Sequence, residues 1–254
     1  AMPTLHLVGP PADTPPLIER AAEIEAIERA VRGGGVVVVE AGAGLGKTAL
    51  VERAAVRAAA AGYLVRRAAP APAEREFPYG VVRALLEAPL GTRLEDTGGD
   101  PTRFAHDILW LCADLAARRP LALVVDDAQW ADGPSLEVLA YLARRVEDLP
   151  LLIAVATRAG VPQLAQFGPA TVLHPAPLTP HGVSLLIGRT DIALDCHRAT
   201  GGNPWLLAEL GERAIDQDAP VSASARTVVR KRLAELSPRD RAVIEELTVI
   251  GDGA

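Results

Sequence analysis

The fold of this chain is decided by the stretch Val36-Val37-Val38-Val39-Glu40-Ala41-Gly42-Ala43-Gly44-Leu45-Gly46-Lys47-Thr48. Four consecutive valines predict a buried strand of a parallel sheet. A loop with three glycines follows them, and an alanine-rich helical run begins at Lys47. Because glycine lacks a Cβ, successive backbone N–H groups of such a loop can curl round phosphate oxygens. The strand, loop and helix together predict a P-loop.

Each part of this loop has a predicted role in binding a nucleotide. The Lys47 ammonium would reach the β- and γ-phosphates, and the Thr48 hydroxyl would ligate Mg²⁺. The phosphates would also meet the N-terminus of the following helix, where unpaired N–H groups and the helix dipole favour an anion. The residues assigned to phosphate binding are Gly42, Ala43, Gly44, Leu45, Gly46, Lys47, Thr48 and Ala49.

The loop departs from the consensus pattern at one position. The pattern starts with glycine where this chain has Ala41, which is tolerable if the φ of Ala41 stays negative. The alternative interpretation is a glycine-rich turn that binds nothing. That alternative does not explain Lys47, since the chain has only two lysines against 24 arginines. A compact ammonium fits beside phosphates where a planar guanidinium does not.

Length and composition limit the classes of protein to consider. At 254 residues with 49% apolar content, the chain can form one large α/β domain and a smaller one. A net charge of −6 argues against nucleic-acid binding by this segment. The two cysteines, Cys112 and Cys196, lack metal-ligand spacing and indicate a reducing, cytoplasmic setting. No apolar run approaches the roughly 18 residues of a membrane helix, so we expect no membrane contact.

After a second strand predicted at residues 63–69, a third apolar run, residues 121–125, ends in Asp126-Asp127. An apolar strand whose carboxyl end presents carboxylates is the Walker B arrangement. Asp126 would hold Mg²⁺ opposite Thr48, and Asp127 would act as a base or orient the attacking water. Acidic residues at strand ends are often only solvated. A position about 75 residues after the P-loop, with helices between, favours the functional interpretation.

The strand predicted at residues 151–156 ends at Thr157-Arg158. A polar residue and an arginine at the carboxyl end of a strand point into the crevice where α/β sheets bind ligands. We therefore interpret Arg158 as a sensor of the γ-phosphate, with a surface arginine as the alternative. The predicted catalytic residues are Lys47, Asp127 and Arg158.

Asp132-Gly133-Pro134 predicts the start of a helix, with Asp132 as its candidate N-cap, which runs to about Val146. Arg144 and Arg145 fall in its last turn, where they complement the helix dipole; an arginine finger towards a neighbouring subunit is the alternative.

The pattern changes near residue 178. A short fifth strand is predicted at 171–173, and only helices follow it. Their predicted positions are 180–190, 193–200, 204–217, 222–236 and 238–250. We therefore predict an extended lead-in over residues 1–16 with a tag scar at its start, a P-loop ATPase core over 17–178, and over 179–254 a helical lid with the start of a truncated following domain.

Several further stretches resemble a known family. They are residues 77–87, 119–132, 135–136, 139–145, 156–158 and 199–207. The chain resembles, from about Leu17 to its last residue, the ATPase module of the STAND class of signal-transduction NTPases. Within that class it is similar to the large ATP-binding regulators of the LuxR type, the LAL family.

The resemblance implies a fold and further site residues. The fold would be a three-layer α/β P-loop NTPase core, with a parallel five-stranded sheet in the order 5-1-4-3-2 followed by an all-helical lid. Pro204 of Gly202-Asn203-Pro204 would pack near the adenine, although this tripeptide is also typical of a turn that opens a helix. Arg20 would contact the nucleotide from a degraded N-terminal element whose glycine is replaced by Glu19. Gln129 stands where the family often has histidine.

The resemblance also implies a function. The chain would be an ATP-binding, slowly hydrolysing switch module, a fragment of a bacterial transcriptional regulator, with ATP or ADP and Mg²⁺ as cofactors. It would self-associate on activation, and DNA would bind only through a C-terminal domain absent from this chain. One alternative is the same module joined to another output, such as a kinase or cyclase. Another is a P-loop enzyme that phosphorylates a small acceptor, for which no acceptor-site motif is visible.

Overall fold

The centre of the protein is a five-stranded parallel sheet. The computed structural model describes residues 17–90, 100–146 and 149–214. The strands are β1 (Gly35–Glu40), β2 (Leu64–Ala68), β3 (Leu121–Val125), β4 (Leu151–Thr157) and β5 (Thr171–Leu173). Their spatial order is β2-β3-β4-β1-β5, and every neighbouring pair is parallel. The predicted order 5-1-4-3-2 is therefore confirmed.

The helices surround this sheet or follow it along the chain. They are α1 (Ala21–Gly33), α2 (Lys47–Ala60), α3 (Gly80–Leu90), α4 (Pro101–Arg118), α5 (Gly133–Ala143), α6 (Pro180–Ile187), α7 (Ala193–Thr200) and α8 (Pro204–Ala214). The chain divides into two compact units between Ala176 and Pro177. The first unit contains the sheet and α1–α5, and the second contains α6–α8. The predicted lead-in at 1–16 and the helices predicted at 222–236 and 238–250 lie outside the described residues.

Strand β1 is buried on both faces, which explains its run of valines. Val36 and Val38 pack into one apolar cluster, together with residues of α3, α4 and α5. Val37 and Val39 pack into a second cluster, together with residues of α1 and α2. A strand that alternates between two cores needs apolar side chains at every position, and β-branched residues suit it best. The result is a three-layer arrangement with β1 between β4 and β5.

The parallel register brings the carboxyl ends of the strands to one edge. Glu40 at the end of β1 pairs with Thr157 at the end of β4. One residue further, the Ala41 N–H donates to the Thr157 carbonyl at 3.2 Å. The loops that follow β1, β3 and β4 therefore start side by side, as expected for ligand binding by α/β sheets.

Two simple findings bear on the setting of the chain. Both cysteines are free and buried, and burial raises the pKa of the Cys112 thiol to about 12. Over the described ranges, no helix combines the length and the apolar character needed to cross a membrane.

The second unit is organised round the turn between α7 and α8. Gly201 and Gly202 adopt positive φ values of 60° and 73°. The Gly202 carbonyl accepts a hydrogen bond from the Leu178 N–H at 2.8 Å. The Asn203 carboxamide oxygen then accepts from the Trp205 and Leu206 N–H groups and so caps α8. The segment Gly202-Asn203-Pro204 is thus a turn that opens a helix.

We expect Gly202→Ala to lower the free energy of unfolding of the second unit by about 3 kcal/mol. A Cβ at this position would lie 2.1 Å from the Leu178 carbonyl oxygen, which is backbone and cannot move aside. Gly201→Ala is the matched control, because its φ is also positive but no heavy atom lies within 4 Å of the added Cβ. Amide hydrogen exchange of α7 and α8 would measure both variants. Equal losses would contradict the steric argument.

Candidate nucleotide-binding site

The loop between β1 and α2 has the backbone of a phosphate-binding loop at two of its glycines. Gly44 and Gly46 adopt φ values of 76° and 87°, a region that disfavours a Cβ. The φ of Ala41 is not positive, so alanine fits at the start of the loop. A Cβ at Gly42 would make only an ordinary contact, 3.7 Å from Leu45 Cδ1. The departure at Ala41 therefore leaves the loop geometry intact.

Lys47 lies at the first position of α2 and is 7% exposed. Its ammonium donates across the loop to the Gly42 carbonyl at 2.8 Å. Burial lowers the pKa of Lys47, and the Arg158 charge lowers it further, whereas the Asp127 and Asp126 carboxylates raise it. These electrostatic partners show that the structure brings the predicted lysine, both Walker B aspartates and the predicted sensor arginine together.

Asp126 follows β3 directly and contacts the start of α2. Its carboxylate accepts hydrogen bonds from the Thr48 hydroxyl and, at 2.9 Å, from the Asp127 N–H. Burial raises the pKa of Asp126, and these two bonds oppose the rise. A hydroxyl and a carboxylate in contact are the hard oxygen donors that Mg²⁺ prefers. The two residues predicted as metal ligands are therefore neighbours.

Asp127 is held in an uncommon backbone conformation, with φ 48° and ψ 42°. Its Oδ1 accepts a hydrogen bond from the Gln129 side-chain N–H at 2.8 Å. The Gln129 oxygen in turn accepts from the backbone N–H of Arg158 at 3.1 Å. Gln129 thus joins the loops that follow β3 and β4. Sequence reasoning noted Gln129 only as a departure from a family, because the partner lies 29 residues away.

Arg20, predicted to contact the nucleotide, is 5% exposed. Its guanidinium donates to the carbonyls of Ala176 at 2.5 Å, of Glu19 at 2.9 Å and, weakly, of Leu45 at 3.5 Å. Glu19 adopts φ 54°, so the backbone keeps the conformation that glycine would favour there. The observed bonds tie the loop to its surroundings, and the nucleotide contact of Arg20 stays a prediction.

Three other residues considered from the sequence are Pro204, Arg144 and Arg145. Pro204 begins α8 in the second unit, and its contact with adenine stays a prediction. Arg144 donates to the Gln166 carbonyl at 2.9 Å. Arg145 lies over the Tyr141 ring at 3.7 Å and donates to the Tyr141 carbonyl at 3.0 Å. Both guanidinium groups are therefore bound within the first unit, and these contacts do not favour an arginine finger.

Asp132 has a structural role that sequence reasoning found only in part. It caps α5 as its position before a proline predicts, with Oδ1 accepting from Ser135 N–H at 2.8 Å. Its carboxylate also accepts from the Tyr79 N–H at 2.7 Å and the Val81 N–H at 3.3 Å. This 2% exposed side chain thus joins the starts of α3 and α5, just after the Walker B segment. Only the fold reveals the contact with Tyr79, which lies 53 residues before Asp132 in the sequence.

We expect Asp132→Ala to lower the free energy of unfolding by about 3 kcal/mol or more. Three backbone N–H groups would lose a buried acceptor together, and each unsatisfied group carries a desolvation penalty. Asp100→Ala is the matched control, because Asp100 caps α4 through two N–H groups at an exposed position, where the loss is about 1 kcal/mol. Urea denaturation measures both. Equal losses would contradict the role of Asp132 as a clamp.

We expect Asp126→Asn to raise the free energy of unfolding of the unliganded chain at neutral pH by up to about 1 kcal/mol, a bound that allows for partial screening by water. Burial raises the folded-state pKa above the ordinary 3.8, so the folded state keeps the proton to higher pH than the unfolded state. Ionisation of this carboxyl therefore lowers the free energy of unfolding of the protein as the pH rises from 3.8 through the raised folded-state pKa.

Urea denaturation at about pH 4 and about pH 8 tests this sign, since the asparagine has no ionisation to lose. The difference between Asp126→Asn and the unmodified chain should be larger at the higher pH. Asp114→Asn, at an exposed position of α4, is the control. A difference that is independent of pH would show that burial of the Asp126 charge has no influence on stability.

The chain is similar to known proteins in sequence and in fold. Residues 16–154 match the family described as the AAA ATPase domain. No curated protein sequence matches the chain significantly. Among solved structures, a Walker-type ATPase of Pyrococcus abyssi is 13% identical with a TM-score of 0.56, covering 91% of this chain and 76% of its own.

Two further structures have the same fold. A STAND protein with a tetratricopeptide repeat sensor from Pyrococcus horikoshii is 16% identical with a TM-score of 0.54; 92% of this chain is covered but only 34% of that longer protein. The Holliday junction branch migration motor RuvB of Thermotoga maritima is 14% identical with a TM-score of 0.52, over 93% of this chain and 78% of its own. At such identities these likenesses show the fold alone. The family match covers more than half of the residues, and the chain therefore belongs to the AAA ATPase domain family.

Proposed function

We propose that this chain is an ATP-binding module that hydrolyses ATP slowly and acts as a nucleotide switch in a signalling protein. One observation carries the proposal. The P-loop residues Lys47 and Thr48 meet Asp126, Asp127 and Arg158 at the carboxyl edge of the sheet, although these residues follow three different strands. Such a set of a lysine, an arginine, a hydroxyl and two carboxylates suits a triphosphate and its cation.

The binding step uses the P-loop and the start of α2. Backbone N–H groups between Gly42 and Ala49 would meet the phosphates, with the positive end of the α2 dipole behind them. The Lys47 ammonium has three N–H donors, of which one is engaged by the Gly42 carbonyl. The other two are available for phosphate oxygens. A phosphate beside this buried ammonium would favour its charged form, opposing the effect of burial on its pKa.

Thr48 and Asp126 would hold Mg²⁺, since their oxygens already lie in contact. The ion would supply neutralisation of the phosphate charge. Asp127 would accept a proton from the attacking water or orient that water. Arg158, whose charge acts on Lys47, would face the γ-phosphate. These roles make Lys47, Asp127 and Arg158 the proposed catalytic residues.

The switch follows from the energy of binding. A ligand stabilises the state that it binds by about 2.7 kcal/mol at a hundredfold excess over Kd. Such an energy is sufficient to bias a conformational equilibrium. Slow hydrolysis would then time the return to the ADP state. We further propose that Arg20 and Pro204 complete the nucleotide contacts, and that the chain self-associates on activation.

The sequence resemblance supports a place in a LuxR-type transcriptional regulator of the STAND class. One structural neighbour is itself described as a STAND protein with a sensor domain. The chain spans 34% of that protein. In a LuxR-type regulator, DNA binding would belong to a further domain, which agrees with the net charge of −6 in this chain.

We expect Lys47→Ala to weaken ATP binding by at least about a hundredfold, equivalent to about 2.8 kcal/mol. The variant removes the buried ammonium that donates to the Gly42 carbonyl of the P-loop. Isothermal titration calorimetry with ATP and MgCl₂ measures the affinity, and a thermal shift assay measures the loss of stabilisation. Arg29→Ala, which removes a surface cation in an exposed ion pair with Glu25, is the charge-matched control. Unchanged binding and thermal stabilisation in Lys47→Ala would overturn the P-loop assignment.

A further inference from the structure

The side chain of Gln129 joins the two sides of the proposed reaction centre. Its Nε2 donates to Asp127 Oδ1 at 2.8 Å, and its Oε1 accepts from the Arg158 backbone N–H at 3.1 Å. The two partners determine the positions of the carboxamide oxygen and nitrogen. A carboxylate can only accept and a backbone N–H can only donate, so the flipped amide would lose both bonds.

The position of Gln129 follows from the order of the strands. Gln129 lies in the short 3₁₀ turn Ala128–Trp130 that follows β3, and Arg158 follows β4. Strands β3 and β4 are parallel neighbours, with Val125 paired to Val155. The half-buried Gln129 side chain therefore spans the gap between adjacent strand ends, and it links the loop that carries Asp127 to the loop that carries Arg158.

Asp127 has a particular need for such a partner. Its backbone lies in the left-handed region, which costs a non-glycine residue about 1 kcal/mol or more. Such a conformation persists only where the surrounding structure holds it. The bond from Gln129 to Oδ1 restricts rotation of the carboxylate and so sets the direction of Oδ2. A base misplaced by about 1 Å can cost about a hundredfold in rate.

We propose that Gln129 is a positioning residue, which holds the Asp127 carboxylate and the Arg158 backbone in one geometry for attack of water on ATP. This inference rests on the proposed function. In the step that it serves, the water oxygen bonds to the γ-phosphorus and one water proton passes to Asp127. The bond between the γ-phosphorus and the bridging oxygen breaks, and its electron pair leaves with ADP. Gln129 itself exchanges no proton.

Three substitutions of Gln129 change its two hydrogen bonds in different ways. Gln129→Ala removes both of them. Gln129→Glu keeps an acceptor for the Arg158 N–H but places a second carboxylate against Asp127. Gln129→Asn keeps both functional groups on a side chain that is one methylene shorter and cannot span the same distance. If Gln129 acts by positioning, all three variants should slow hydrolysis, and Gln129→Glu should slow it most because it adds repulsion.

The test is single-turnover release of phosphate by the full chain with ATP and MgCl₂, together with ATP affinity measured by titration. We expect Gln129→Ala to lower the rate about 10- to 100-fold while the Kd for ATP stays within about twofold. In the Asp127→Asn background, Gln129→Ala should lower the remaining rate by a smaller factor than in the unmodified chain, since the part of its effect that passes through Asp127 is already lost. Gln163→Ala, which alters a glutamine lining the cavity beside Gln129, is the control and should match the unmodified chain.

The outcomes distinguish a failure of the proposed function from a failure of the positioning role of Gln129. A chain that binds no ATP contradicts the proposed function. A chain that binds ATP and hydrolyses it equally well with Gln129 or alanine overturns the positioning role alone. The same conclusion follows if the Asp127 and Gln129 effects multiply independently, or if the Kd for ATP rises as far as the rate falls. A chain that binds ATP without any turnover overturns both the hydrolysis and the role of Gln129 in it.

Discussion

The parallel pairing of β1 between β4 and β5 is the constraint on which the rest of the structure depends. Strand β1 is buried on both faces and pairs in parallel with β4 and with β5. The register between β1 and β4 places Glu40 beside Thr157 and starts the P-loop next to the loop of Arg158. The ends of β3 and β4 meet in the same way. The chemistry of the site is therefore assembled by the sheet and not by its loops.

The assembled site is electrostatically unfavourable for the unliganded protein. Burial acts against the charged forms of both Lys47 and Asp126, and it moves their pKa values in opposite directions. A buried charge that is incompletely compensated costs stability, whereas a phosphate and a cation would supply the missing partners. A nucleotide bound with its cation would therefore be an effective stabiliser of the folded chain. This coupling is the physical basis of the proposed switch.

Three polar side chains extend the site beyond its motifs. They are Asp132, Arg20 and Gln129. Each forms a hydrogen bond with a backbone group of a distant segment and so holds two segments of the chain together. Sequence reasoning predicted Asp132 as a helix cap and Arg20 as a nucleotide contact, and it noted Gln129 only as an unusual residue. It missed their long-range partners because backbone acceptors and donors carry no signature in the sequence.

The sequence by itself determined the sheet order, through the resemblance, and most strand positions, through short apolar runs such as the four valines of β1. It also determined Lys47, Thr48, Asp126 and Asp127 as candidates, since their chemistry follows from residue type at a strand end. Only the tertiary structure decided that Ala41 fits the loop and that Glu19 keeps a left-handed backbone. It alone decided that Gln129 reaches Arg158. Such contacts depend on the distance between neighbouring strands, which pairing creates and local sequence does not encode.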